Sequence, residues 1–221
     1  MSRKQIQTFQ RRLLKWYALN GRDLPWRRTR NPYHILVSEI MLHQTQVDRV
    51  IPKYHEFLEA YPTFEALAVA PKKEVKQLWR PLGYNFRPGR LQQIAKLVVK
   101  KFNGRLPDTI DELMALRGIG RYTAGAILSF AFQKDAPILD TNVRRVLQRY
   151  FQVQGDPMRE PAKKQLWHLA ELVIPPGQAY TMNQALLDFG ATVCTAQKPT
   201  CQECPLNHNC PYPCKLSKGQ S

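Results

Sequence analysis

Apolar residues recur three and four positions apart along nearly the whole chain. Ile6, Phe9, Leu13, Leu14 and Tyr17 mark an amphipathic helix over 4–19, and Pro25 and Pro32 bracket a loop after it. From Tyr33 to Tyr54 the apolar positions 35, 36, 40, 42, 47 and 51 keep the helical period, with Pro52 predicting a break near the end. Further helices are expected over 64–70, 72–80, 88–103, 109–115, 121–132, 141–151, 159–173 and 180–193. Proline and glycine signals such as Asn103-Gly104, Leu106-Pro107 and Pro175-Pro176-Gly177 separate them. Few windows alternate with period two, so the predicted fold class is all-α.

At 221 residues and 43% hydrophobic content the chain can bury one large core or two small ones. Thirty-three Lys and Arg against seventeen Asp and Glu give a formal charge of +16, which attracts polyanions in a salt-dependent way. Nucleic acid is the first partner this implies, and a merely basic soluble protein is the plain alternative. The positive charge is spread along the chain and not gathered on one amphipathic segment, which argues against a membrane partner. The start, MSRKQIQTFQRRLLKWY, is amphipathic and charged, and no 18-residue apolar run follows. A cytoplasmic or nuclear protein is therefore expected.

Residues 116–127 read LRGIGRYTAGAI. Gly118 and Gly120 can take positive φ at little cost, so nearby backbone N–H groups can converge at the start of a helix whose dipole is positive there. That geometry suits a phosphate. Asp111 and Glu112 lie before the turn and Arg121 after it, a pattern that resembles the helix-hairpin-helix grip on a DNA backbone. Taken alone, it would equally serve as an ordinary turn between helices.

Near the C-terminus, CTAQKPTCQECPLNHNC places Cys194, Cys201, Cys204 and Cys210 at C-x6-C-x2-C-x5-C spacing. In a chain without a secretory leader these four argue for metal over disulfides. Structural zinc is one reading, but zinc ribbons usually bring two C-x2-C knuckles and this stretch has one. An iron-sulfur cluster accommodates the uneven spacing. Cys214 is left over as a free thiol.

Hairpin and cysteines together resemble the helix-hairpin-helix (HhH-GPD) DNA glycosylase superfamily that includes endonuclease III, most closely its MutY-type adenine DNA glycosylases. The resemblance runs from about residue 6 to Cys210. It implies a 4Fe-4S cluster on the four cysteines and two helical lobes with DNA in the cleft between them. One is a six-helix barrel lobe over 24–136 with the hairpin, the other a cluster lobe built from 1–23 and 137–221. It also implies base excision repair on double-stranded DNA carrying a mismatch or an oxidised guanine, by a monomer.

Hydrolysis of a purine N-glycosidic bond makes a cation-like sugar and an anionic leaving base, so one group must protonate the base and another oppose the sugar's charge. In PILDTNVRRVL, Asp140 matches the family's anion, at a helix N-terminus, and Asn142 its supporting residue. In SEIMLHQTQV, Glu39 matches the acid, and an apolar helix should raise its pKa. Out of context Asp140 reads as an N-cap and Glu39 as a buried partner of Arg27 or Arg30. Tyr122 stands where endonuclease III carries its Schiff-base lysine, so the resemblance implies a monofunctional glycosylase with Tyr122 beside the sugar.

By the same resemblance Leu24, Trp26 and Arg27 line the pocket for the flipped base, Gln184 contacts the adenine, and Leu42, Gln44 and Tyr84 form the wedge that holds the stack open. Gly118, Gly120 and Arg121 would hold the backbone. Three features depart from the family. Thr141 replaces the glycine of D-G-N, His43 replaces the first glutamine of L-Q-Q, and the C-terminal 8-oxoguanine-recognition domain is expected to be lacking. Two alternatives stay open: a thymine or uracil glycosylase for T:G and U:G mismatches, and a non-catalytic DNA-binding module with an iron-sulfur cluster.

Overall fold

The computed structural model describes residues 2–83 and 86–212, and among these every regular element is helical. The chain divides into two compact units, Asp23–Gln133 and a second made of the chain up to Arg22 together with the chain from Lys134 onward. No helix among the described residues is long and apolar enough to cross a membrane.

The second unit opens with α1 (Arg3–Asn20), which Ser2 caps through Gln5 N. It packs on α11 (Ala179–Thr192), and the Arg22 guanidinium closes the junction on Asp188 at 2.7 Å. Asp188 is fully buried, so this pair works in a low-dielectric setting where a missing partner would be costly. Against α11 and α10 (Ala162–Leu172) lies α9 (Thr141–Phe151), with Val143, Val146, Leu147 and Tyr150 as its buried stripe.

The Asp23–Gln133 unit begins with a short 3₁₀ turn at Pro25–Arg27 and is built around α2 (Pro32–Leu42). Asn31 caps α2 by accepting from Tyr33 N at 2.9 Å, and Pro32 sits where its missing N–H costs nothing. Residues 35–41 of α2 are all buried, including Ser38 and Glu39, because α3 (Val47–Ala60), α6 (Arg87–Phe102) and α8 (Arg121–Phe130) surround it. Also in this unit are α4 (Phe64–Val69), α5 (Lys72–Trp79) and α7 (Ile110–Ala115).

The single helix expected from Tyr33 to Tyr54 is two. The chain turns at Gln44, whose φ of 55° is left-handed, while the last carbonyls of α2 are claimed by a side chain from α6. Arg87, 3% exposed, donates from Nη1 to the carbonyls of Met41 (3.0 Å) and His43 (2.6 Å), and from Nη2 to that of Leu82 (2.9 Å). The break expected at Pro52 does not occur. Pro52 sits on the exposed face of α3, where water can serve the freed carbonyl, while Val50, Tyr54 and Phe57 anchor the buried face.

Candidate functional site

In the hairpin, Thr109 caps the start of α7, its Oγ1 accepting from Glu112 N and donating to Glu112 Oε2 at 2.6 Å. Leu116 to Gly120 then reverse the chain, Ile119 N donating to Leu116 O at 2.9 Å. Gly118 takes a φ of 110°, a conformation glycine alone reaches cheaply. Gly120 does not share it. Its φ is −91°, and it is the N-cap of α8, with no side chain capping the first turn and open space where a Cβ would stand. The N-cap of α8 thus brings no side chain of the kind Asn31 gives α2, and exposed Arg121 and half-buried Tyr122 follow it.

In the same unit α2 packs on α8 and on the Pro25–Arg27 turn. Glu39 is 3% exposed, Leu24 and Trp26 are buried, and Arg27 and Leu42 are half-buried. Trp26 meets Tyr54 edge-on at 5.5 Å. Gln44 is exposed at its left-handed turn, as suits a residue reaching outward. His43 Nε2 lies 3.4 Å from Thr123 Oγ1, connecting the α2–α3 loop with the residue after Tyr122. Burial, with help from Arg87 and Arg90, holds the His43 imidazolium below its ordinary pKa, so the ring is neutral near pH 7. Tyr84 and Cys214 lie outside the described residues.

In the other unit Asp140 is the N-cap of α9. Its Oδ1 accepts from Val143 N at 2.7 Å and its Oδ2 from Asn142 Nδ2 at 3.1 Å. Cap and candidate site are the same residue. Burial pushes the Asp140 carboxyl above its ordinary value, against the opposing pull of Val143, Asn142 and Arg145. Arg145 was not legible as a site residue. Its Nη2 donates to Asn142 Oδ1 (2.8 Å) and Gly190 O (2.6 Å), and its Nε to Cys194 O (2.7 Å). Gly190 makes this possible, because a Cβ there would lie 2.7 Å from Asn142 Cβ. Gln184, 3% exposed, is on α11.

Cys194, Cys201, Cys204 and Cys210 are unbridged, half-buried, and together line a cavity of about 290 Å³. Among the described residues no three His, Cys, Asp or Glu side chains converge as a single ion requires. Four thiols around one cavity fit an iron-sulfur cluster, whose irons would each take one of them. Burial pushes the Cys204 thiol up to about 11, while the Leu206 and Asn207 amides pull it back. Iron would supply the positive charge that keeps it a thiolate.

Residues 37–172 match the model of the HhH-GPD superfamily base excision DNA repair proteins, and residues 194–210 that of the iron-sulfur binding domain of endonuclease III. That domain's four cysteines carry a 4Fe-4S cluster in the endonuclease III family. The chain is 43% identical to human adenine DNA glycosylase over 93% of its own length, but spans only 39% of that protein. It is 38% identical to a thymine-DNA glycosylase of Aeropyrum pernix, over 96% of this chain and 97% of that one. Among solved structures, a thermostable thymine-DNA glycosylase superposes with a TM-score of 0.88 at 35% identity, covering 95% of this chain and 96% of that one. A non-covalent endonuclease III–DNA complex gives 0.82 at 28% identity, covering 96% of each. The protein belongs to the HhH-GPD superfamily of base excision DNA repair proteins.

Proposed function

We propose that the protein is a monofunctional DNA glycosylase that binds double-stranded DNA as a monomer and hydrolyses the N-glycosidic bond of adenine opposite guanine or 8-oxoguanine. The observation that carries this reading is the Asp140 carboxylate, fixed at the α9 N-terminus by Val143 N and Asn142 Nδ2. A carboxylate held this way can oppose the positive charge that grows on the sugar as the base departs. Glu39, buried among the apolar residues of α2, is the acid that protonates the leaving purine. Tyr122 in place of an amine leaves water as the nucleophile, so no Schiff base forms and the strand stays intact.

The remaining residues serve access to the base. The first amides of α8 with Gly118, Gly120 and Arg121 hold a phosphate, and Leu42, Gln44 and Tyr84 prop the stack open. Leu24, Trp26, Arg27 and Gln184 receive the flipped base. The adenine DNA glycosylases among the relatives support this choice, although the chain covers only 39% to 59% of the length of the human and Buchnera proteins. A thymine substrate is the second reading, favoured by the thymine-DNA glycosylase matched over nearly its whole length and by Thr141 beside Asp140.

Single-turnover base release from duplexes holding A:8-oxoguanine, A:G, T:G and U:G tests both, with and without alkali. Adenine release with strand scission only after alkali is the expected result. Thymine or uracil release with adenine untouched would replace it by the second reading, and scission without alkali would remove the role given to Tyr122.

A further inference from the structure

Arg149 and Tyr150 are consecutive residues in the last turn of α9, and both line the cysteine cavity. Arg149 Nη1 donates to Thr195 O at 2.7 Å and points at Cys194 Sγ from 3.4 Å, and Nη2 donates to Ala196 O at 3.0 Å. Its guanidinium also lies 4.2 Å from the centre of the Tyr212 ring. These contacts fix a positive charge against the first cysteine of the motif.

Tyr150 presents the complementary observation. It is 1% exposed, and its hydroxyl, fully removed from water, finds no hydrogen-bond partner among the described residues. The ring cannot swing away to find one, because Phe9 and Phe151 pack on it at 4.8 and 4.9 Å. A buried hydroxyl left unmatched is unfavourable, and native proteins rarely keep one without use. What this one lacks is an acceptor, and the wall it shares with four cysteines is where a cluster would place sulfur. Cys210 and Arg12 are both close enough to act on the phenol electrostatically.

We propose that Arg149 and Tyr150 form a hydrogen-bonding wall for the iron-sulfur cluster, with the Tyr150 hydroxyl donating to a sulfur of the cluster or of Cys210 and Arg149 donating to Cys194. Reduction adds negative charge to a centre already negative, so donors and a fixed cation favour the reduced state and raise the reduction potential. Neither residue has a part in the base excision proposed above, so the inference is independent of which base is removed.

The test uses the iron-loaded full chain, read by voltammetry and by resonance Raman spectroscopy in H₂O and D₂O. Tyr150→Phe keeps the ring and removes only the donor. The expected result is full iron content, unchanged helicity, and a potential lowered by about 59 mV, which is a roughly tenfold change in the one-electron equilibrium. A deuterium-sensitive Fe–S stretching band should also disappear. Arg149→Gln should lower the potential more than Arg149→Lys, which keeps the charge, and Arg149→Lys stands in if the glutamine variant loads no iron. An unchanged potential and an unchanged deuterium shift in Tyr150→Phe would overturn the proposal. Loss of the cluster from Tyr150→Phe would overturn it too, since the hydroxyl would then be a requirement for assembly and not a tuning group.

Discussion

Arg145 Nη2 donates to Asn142 Oδ1 at 2.8 Å while Asn142 Nδ2 donates to Asp140 Oδ2 at 3.1 Å, and the same guanidinium holds Cys194 O through Nε at 2.7 Å. One side chain thus orients the partner of the candidate catalytic carboxylate and anchors the backbone of the first cluster cysteine. Arg145→Gln removes the fork and the charge. The expected outcome is a loss of about 10- to 100-fold in single-turnover base release together with reduced iron content. Loss of activity at full iron content and unchanged stability would confine Arg145 to the Asp140 side.

Asp140 combines a helix cap with an electrostatic burden. Burial lifts its carboxyl above the ordinary value against the pull of Val143 N, Asn142 and Arg145. A carboxyl whose folded pKa exceeds its unfolded one favours the protonated fold. Its contribution is full below the unfolded pKa, about 3.9, and is lost as pH rises through the folded value. Asp140→Asn keeps a cap of equal rank and removes the ionisation. Base release should fall by roughly 100-fold or more. Stability at neutral pH should be equal to or higher than the parent's, with the gap opening as pH rises from about 4 in thermal melts.

Arg87 serves carbonyls near the end of α2 and at Leu82 from inside the Asp23–Gln133 unit. Arg87→Ala strands several buried acceptors at once and should cost about 3 kcal/mol or more in urea unfolding. Arg87→Lys should recover only part of this, because an ammonium cannot span both groups of carbonyls. A variant as stable as the parent would mean that water replaces the guanidinium.

The helices were legible because a buried stripe such as Val143, Val146, Leu147 and Tyr150 repeats at helical spacing in the sequence itself. The four cysteines were legible as cluster ligands because their spacing is a short local pattern, and the proposals for Glu39 and Asp140 rest on short local patterns too. Arg87 and Arg145 were not legible, because most of their partners are backbone carbonyls, which every residue owns, brought from elsewhere by the fold. The break between α2 and α3 was missed for the same reason. Nothing in Leu42-His43-Gln44 announces that Arg87, more than forty residues later, will take the helix-end carbonyls. Gly190 reads as an ordinary helical glycine until Asn142 is placed against it.

The two hairpin glycines should separate folding from DNA grip. Gly118, at φ 110°, cannot be replaced without backbone strain, so Gly118→Ala should lower stability by about 1–2 kcal/mol. Gly120 has an ordinary φ of −91° and open space around its missing Cβ, so Gly120→Ala should change stability by less than about 0.5 kcal/mol. Yet its methyl would stand beside the first amides of α8, where the proposed phosphate would approach closely. Fluorescence anisotropy on an undamaged duplex at several salt concentrations reads the difference. Gly120→Ala should bind more weakly at every salt, in a protein that melts like the parent. Parental affinity in Gly120→Ala would mean that the phosphate is held elsewhere, and the α8 N-terminus would revert to an ordinary turn between helices.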